Sequence, residues 1–508
     1  MKNDDLPLDA NGEEVKERIG LTTDACASDE SQSIKQEVES IKDDAESKSK
    51  TSVIEYSEIG SWVEGIEDVQ TYNKGGHHPV HLGDVLDGRY EVIHKLGTGG
   101  FSLVWLCHDI QRHIWRAVKI LTAEHSAKSQ EMAIYDHLRA QSSLSTLEAN
   151  HIIVPESQFW IDGPNGRHLC LVLPVLGTNL SDWKIRRPFM AEQRLSKSKE
   201  ACRQITRAVR FLHNYGVCHG DLKPQNILMR LHGIDKLEKT EILKLMGEPE
   251  LCEVETASGE PPGPHAPKYI VIPPEEQWWK DFLSDTIALV DFGTSFFSQA
   301  APPKRVAFTR LYAAPETFFD DCGITQGPYS DIWSLGCTLL ELCTDDFLFA
   351  SLDDSIRDAP SDLEVHLGPI PGPYRTAWRH MQQKEADRRR RASGQSLELS
   401  SPIDDRLKAS EPVSGSIAEL QERRENAIGD SQYSTAMEAI IGCERQRRTK
   451  APKYKELPPN KRWEVVKYSY PRHEVVQFSS LLRRMFTYDP NERADIDEHF
   501  AVSEQYSH

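Results

Sequence analysis

The sequence predicts an α+β protein in two lobes, a small β-rich N lobe followed by a larger helical C lobe that carries two insertions. Three observations predict it. From Arg89 to Leu173, short runs of strand-like alternation and one buried apolar run are separated by glycine-rich and polar turns. Beyond Gly177 the apolar residues recur at helical spacing instead, as at Ile205, Val209 and Leu212. Two long stretches, about 232–284 and 384–455, interrupt this second part with loop-like or highly charged composition.

The bulk numbers fit one such unit. A chain of 508 residues with 38% hydrophobic content can build a real core and still leave segments outside it. The net charge of -19 argues against direct nucleic-acid binding, which needs a basic surface, and favours a basic protein partner. Ten cysteines without a C-x-x-C pair support neither a zinc site nor a disulfide framework. The chain opens polar and acidic, with no signal peptide, and no apolar run approaches membrane-spanning length. The expectation is a monomer in a reducing intracellular compartment, without a membrane.

Taken in order, residues 1–60 hold 16 acidic and 7 basic residues and few large apolar groups, which predicts a disordered acidic tail. The N lobe with its lead-in should span 61–176. Order should begin near Trp62, and the turn-rich Tyr72–Asp84 leads into strand Arg89–Leu96. Gly97-Thr98-Gly99-Gly100-Phe101-Ser102 then turns the chain into strand Leu103–Cys107. Missing side chains let backbone N–H groups approach phosphates there, although an ordinary hairpin would look the same. Trp115–Leu121 is a third strand with Lys119 among apolar residues, and a surface strand lysine would read alike. Helical spacing returns at Gln130–Leu138, where Glu131 is the expected partner of Lys119; Glu124 is the alternative. Leu169–Leu173 reads as a buried strand, broken at Pro174-Val175-Leu176-Gly177 as a hinge between lobes would be. Pro174 lacks an N–H but keeps its C=O, so it can accept from an amino group while Leu176 N–H donates.

The C lobe should span 177–508. A helix from about Ser196 to Asn214 feeds Val217–Leu228, where one polar loop between apolar flanks carries Asp221, Lys223 and Asn226. That set suits phosphoryl transfer: a carboxylate to orient a hydroxyl, a cation for the phosphate, a neutral oxygen for a metal. Val290-Asp291-Phe292-Gly293 lies 65 residues beyond Asn226, too far for two short strands and a turn, so 232–284 is an insert. Asp331–Leu342 reads as a buried helix whose leading aspartate holds the loop backbone. Residues 345–364 are acidic, and 384–455, with Arg388-Arg389-Arg390-Arg391, reads as a second, largely mobile insert. Order returns over Val475–Phe486, and Arg493 is the expected partner of Glu316.

Each motif is modest alone, but together they stand in the order of eukaryotic protein kinases over roughly 430 residues. The chain resembles that family, and the resemblance implies the bilobal eukaryotic protein-kinase fold with ATP and Mg2+. It assigns Asp221, Lys223 and Asn226 to catalysis, and Asn226 and Asp291 to the metal. Leu96, Gly97, Thr98, Gly99, Gly100, Phe101, Ser102, Val104, Ala117, Lys119, Glu131, Pro174, Leu176 and Asp291 fall to the nucleotide. The Asp-Leu-Lys order matches serine/threonine kinases. The lead-in Lys74-Gly75-Gly76-His77-His78-Pro79-Val80, the segment Phe101–Leu106, Val175-Leu176-Gly177 and the arginine-less catalytic loop further resemble the SR-protein-specific serine/threonine protein kinases, as a divergent member. That resemblance implies basic, Arg/Ser-rich splicing-factor substrates and a location in cytoplasm and nucleus. Asp-Phe-Gly, Ala-Pro-Glu and Thr98 depart from that family and leave the client open; a pseudokinase scaffold is the rival, though no core catalytic residue is missing. Gly220 replaces the arginine that pairs with a phosphorylated activation segment, so activity without such phosphorylation is expected.

Overall fold

The computed structural model describes residues 55–57, 65–186, 191–274, 278–300, 309–319, 321–350, 352, 360–392, 422, 425, 433–450 and 463–497. Its N lobe is a six-stranded antiparallel sheet: β1 (Val85–Leu86), β2 (Tyr90–Gly99), β3 (Ser102–Asp109), β4 (Ile114–Leu121), β5 (Ser157–Gly163) and β6 (Gly166–Pro174), in the order β1-β2-β3-β4-β6-β5. Strand alternation sets its two faces. In β3, Leu103, Trp105 and Cys107 are buried while Ser102, Val104 and His108 are only partly covered. Three helices follow β4: α1 (Ala123–Lys128), α2 (Glu131–Gln141) and α3 (Leu144–Ala149). In α2, Glu131, Ile134, Tyr135 and Leu138 are buried, the i, i+3, i+4, i+7 stripe that faces a helix into a core.

A lysine inside β2 is unusual and has its own explanation. Lys95 is completely buried, with Nζ 2.5 Å from Glu67 Oε2, and lies 5.2 Å from the Trp105 ring centroid. Tyr72 Oη donates to the other Glu67 oxygen at 2.7 Å. Burial lowers the Lys95 pKa and raises that of Tyr72. The lead-in is thus bound to the sheet by a polar knot.

The hinge strand β7 (Leu176–Asn179) leads to α4 (Leu180–Arg186) and the 24-residue α5 (Ala191–Asn214). Short β8 (Val217–Cys218) delivers the polar loop, and β9 (Ile227–Leu231) follows it. The segment expected as an insert is structured. It contains α6 (Lys239–Met246) and the hairpin β10 (Leu251–Glu253) with β11 (Tyr269–Val271). It reaches back to the N lobe: Trp115 Nε1 donates to Leu237 O at 2.9 Å, and Leu82 N to Tyr269 Oη at 3.2 Å. Strand β12 (Leu283–Leu289) pairs with β9, and Leu283 opposite Leu231 places the strand start just inside the expected insert. Strand β13 (Phe296–Phe297) pairs with β8.

The C-lobe core forms around α7 (Pro315–Phe318) and α8 (Pro328–Thr344), then α9 (Pro360–Leu367) and α10 (Gly372–Ala392). Trp333 stacks on Phe349 at 4.8 Å and meets Phe486 edge-on at 5.0 Å. Helix α11 (Ala436–Gly442), the hairpin β14 (Arg445–Lys450) with β15 (Trp463–Tyr468), and α12 (Arg472–Met485) complete it.

Two expectations are corrected. The tail does not run to 60: Tyr56 is buried, bridges Thr256, and donates its hydroxyl to Tyr72 O at 3.2 Å. An aromatic ring with a satisfied hydroxyl is enough to draw residues 55–57 into the fold; the rest of the tail and Trp62 lie outside the described residues. The stretch 384–455 is not uniformly mobile, because α10 runs through the arginine cluster, helped by an i,i+4 bond from Arg389 to Glu385 at 2.9 Å, and α11 and β14 follow. In the acidic run, Glu364 is fully buried and Asp346 pairs with Arg445 at 3.0 Å, while Asp353, Asp354 and Asp358 lie outside the described residues.

Candidate active site

The sheet register builds the upper wall. Val104 stands opposite both Gly97 and Lys119, and Ala117 pairs with Leu173, so these side chains share one face of the sheet toward the hinge. Leu96, Val104, Pro174 and Leu176 are half-buried and Ala117 is buried there. A side-chain carbon added at Gly97 or Gly100 would meet no protein atom within 4 Å, so the turn leaves room beneath and beside it. Thr98 Oγ1 donates to Gly65 O at 3.3 Å, and Gly99, Gly100 and Phe101 form the exposed tip before Ser102.

Lys119 is the electrostatic centre. Its Nζ lies 3.1 Å from Glu131 Oε1 and 2.9 Å from Asp291 Oδ1, so one ammonium faces two carboxylates. Glu131 is buried and accepts a second bond from Tyr135 Oη at 2.8 Å, one helical turn on. Burial alone would lower the Lys119 pKa, but the two carboxylates outweigh it and raise it above the ordinary lysine value. The Lys119 charge, against the opposing effect of burial, holds Asp291 down at about 2. Asp291 takes φ +67, a left-handed conformation that an aspartate tolerates better than most residues. Phe292 is fully buried between Tyr135, at 5.4 Å, and His219, at 5.3 Å, which fixes the aspartate facing the lysine.

The loop opposite is held from below. Asp331 accepts from His219 N at 2.7 Å and Gly220 N at 2.9 Å, and its Oδ2 lies 3.0 Å from His213 Nε2. Burial would raise the Asp331 pKa; His213 and the loop groups bring it below the ordinary value instead. Gly220 sits at φ +81, where an arginine side chain would be strained, so the departure at this position is conformational as well as electrostatic. Lys223 Nζ lies 2.8 Å from Asp221 Oδ2 and donates to Thr309 Oγ1 at 2.8 Å. Asn226 Nδ2 donates to Asp221 O at 2.8 Å and to Asp221 Oδ2 at 3.0 Å. Its carboxamide oxygen remains as an acceptor, and with the half-exposed Asp291 carboxylate it forms a hard oxygen donor pair. Such a pair suits Mg2+, which binds through one or two protein oxygens and takes the rest of its shell from phosphates and water. Among the described residues no group of three or more His, Cys, Asp and Glu gathers to hold a metal by protein alone.

The structure therefore brings Asp221, Lys223 and Asn226 together in one loop, and Lys119, Glu131 and Asp291 in one cluster. Sequence reasoning missed two contributors and one contact. Asp291 is a second partner of Lys119; Tyr135 orients Glu131, and its i+4 spacing was a usable signal; Leu173 joins the apolar wall through its pairing with Ala117. Ser295, two residues beyond Asp-Phe-Gly, is buried and donates to His219 O at 2.8 Å.

This two-lobed fold and this constellation define a protein kinase. The chain belongs to the protein kinase domain family, whose pattern matches residues 90–246 and 280–503. Within it the chain is similar to an SRSF protein kinase and to other named serine/threonine kinases. SRSF protein kinase 3 of Homo sapiens is 39% identical over 175 residues, 34% of this chain and 30% of that protein. Serine/threonine-protein kinase spk-1 of Caenorhabditis briggsae is 37% identical over 178 residues, 34% of this chain and 16% of that protein. Serine/threonine-protein kinase AFC1 of Arabidopsis thaliana is 28% identical over 301 residues, 59% of this chain and 56% of that protein. The matched stretch thus covers less than two thirds of each relative's own length.

Proposed function

We propose that the chain is an ATP-dependent serine/threonine protein kinase that phosphorylates basic proteins, with Arg/Ser-rich splicing factors as the client class. The observation that carries the reading is Lys119 held between Glu131 and Asp291, across from the loop of Asp221, Lys223 and Asn226. In this reading Asp221 accepts a hydrogen bond from the substrate hydroxyl and orients it. Lys223, braced by Thr309, stabilises charge on the transferring phosphoryl group. Lys119 anchors the α- and β-phosphates, and the turn from Gly97 to Ser102 covers them with backbone N–H groups. Leu96, Val104, Ala117 and Leu176 enclose the base, with Pro174 C=O and Leu176 N–H at its edge. Asn226 and Asp291 hold the metal, which when bound neutralises phosphate charge. The basic client is supported by the net charge of -19 and by the relatives' names. The same reading puts the protein, as a monomer, in cytoplasm and nucleus.

The test is Asp221→Asn in the full chain. Phosphate transfer to an Arg/Ser peptide should vanish while nucleotide affinity stays within about twofold, because the carboxylate is absent from the nucleotide contacts; unchanged turnover would sink the assignment. Wild-type protein on a peptide array at low salt should favour serines flanked by arginine. Equal rates on acidic peptides would keep the kinase and remove the client.

A further inference from the structure

Phe101 stands at the exposed tip of the glycine-rich turn and remains 41% exposed, yet one face of its ring is covered. It stacks on the imidazole of His125, with centroids 3.7 Å apart and planes 25° from parallel. The turn is held at the same point through its backbone, where Thr122 N donates to Phe101 O at 2.9 Å. His125 belongs to the short helix α1. The Thr122 hydroxyl caps that helix and lies 3.0 Å from His125 Nδ1, which sets the orientation of the ring. Burial lowers the His125 pKa, so two uncharged rings meet at neutral pH.

The helix carrying His125 is itself anchored. Ala123 N donates to Gly76 O at 3.0 Å and Glu124 N to Gly75 O at 2.8 Å. No side chain fits at Gly76, where an added carbon would come within 1.8 Å of Thr71 O. A continuous chain of contacts therefore runs from the lead-in Lys74-Gly75-Gly76 through α1 and His125 to Phe101. Nothing in the cleft itself gives that lead-in a task.

We propose that His125 is a positioning residue for the nucleotide: it latches the glycine-rich turn through Phe101, with the lead-in as its anchor. The proposal rests on reading the cleft as a nucleotide site. A turn rich in glycine is otherwise free to sample many positions, and a ligand that needs one of them binds more weakly by the fraction of time that position is occupied. One aromatic pair corresponds to about a fivefold change in that population. Once nucleotide is bound, its own contacts hold the turn, so the latch acts on affinity and leaves the chemical step alone.

The experiment uses the full chain and the variants His125→Ala, His125→Phe, Phe101→Ala and the double alanine. In nucleotide-free protein, hydrogen exchange at the amides of 99–102 should speed up about fivefold in His125→Ala and return to the wild-type rate in His125→Phe. The KM for ATP should rise about fivefold in His125→Ala with kcat within about twofold, and the double variant should be no worse than Phe101→Ala alone. His125→Phe removes the Thr122 contact as His125→Ala does, so its recovery isolates the ring. Wild-type exchange in His125→Ala, additive singles, or a failed rescue in a variant of unchanged melting temperature would each overturn the latch. Wild-type protein that neither binds nor turns over ATP would instead overturn the reading of the cleft, and the role of the latch with it.

Discussion

Two ion pairs, one in each lobe, use the same chemistry and are built in opposite ways. Arg493 and Glu316 are both sealed from solvent, joined by two parallel bonds of 2.6 and 2.7 Å. Arg493 also donates to Thr487 O and Tyr329 O, and Glu316 accepts from Ser330 Oγ. Its polar capacity is spent inside the protein. Lys119 has two carboxylates for one ammonium, and the Asp291 side chain is 47% exposed. The first pair ties the activation segment's end to the C lobe. The second is left with acceptor capacity facing a cleft, which is what a site for a cation and phosphates requires. Completeness of hydrogen bonding, more than the presence of a salt bridge, separates architecture from function here.

The comparison can be broken at either end. Lys119→Met should lower phosphate transfer by about 100-fold or more, the scale seen when one oriented charge-stabilising donor is removed. Its melting temperature should fall less than that of an Arg493 variant, because Asp291 can hydrate and Tyr135 still donates to the buried Glu131. Arg493→Ala should behave in reverse order of cause, losing about 3–5 kcal/mol in denaturant unfolding because a buried Glu316 is left uncompensated. Equal destabilisation in the two variants would erase the distinction.

The smallest effect is in acid. Asp291 is held at about 2, below the roughly 3.9 of an unfolded aspartate, so its contribution is present above pH ~4 and lost as pH falls toward 2. Lys119→Met removes the cause, so the variant should lose less stability than wild type across that window in an acid titration. Solvent screening of the half-exposed carboxylate keeps the difference small. A larger acid loss in the variant would mean that Lys119 is not what depresses Asp291.

The site was legible because phosphoryl chemistry fixes residue types at fixed spacing. Asp221, Lys223 and Asn226 can be read from one loop, and Lys119 with Glu131 from a strand and the next helix. Strands β2, β3 and β4 were legible from alternation and β6 from its apolar run, whereas β1 and β5 carried no such signal. What escaped was what depends on distant partners. Lys95 has the spacing of an ordinary strand lysine, and only Glu67, 28 residues away, makes it a core residue. The arginine run at 388–391 looked like linker charge, whereas local i,i+4 pairing carries α10 through it. His125 had no sequence signal at all, because its ring acts through a contact across a turn.

The bridge between Tyr56 and Thr256 has a consequence for how the protein is made. The two residues are 200 positions apart, so on a ribosome moving at about 5–20 residues per second Tyr56 waits roughly 10–40 s for its bridge partner to emerge. The N lobe can form its six-stranded sheet in that interval, but residues 55–57 have only their contacts to Gln70 and Tyr72 until the segment beyond the catalytic loop has been synthesised. Completion of this part of the fold is therefore timed by the middle of the message, and a slow stretch of codons before position 256 would prolong the interval in which residues 55–57 lack their bridge.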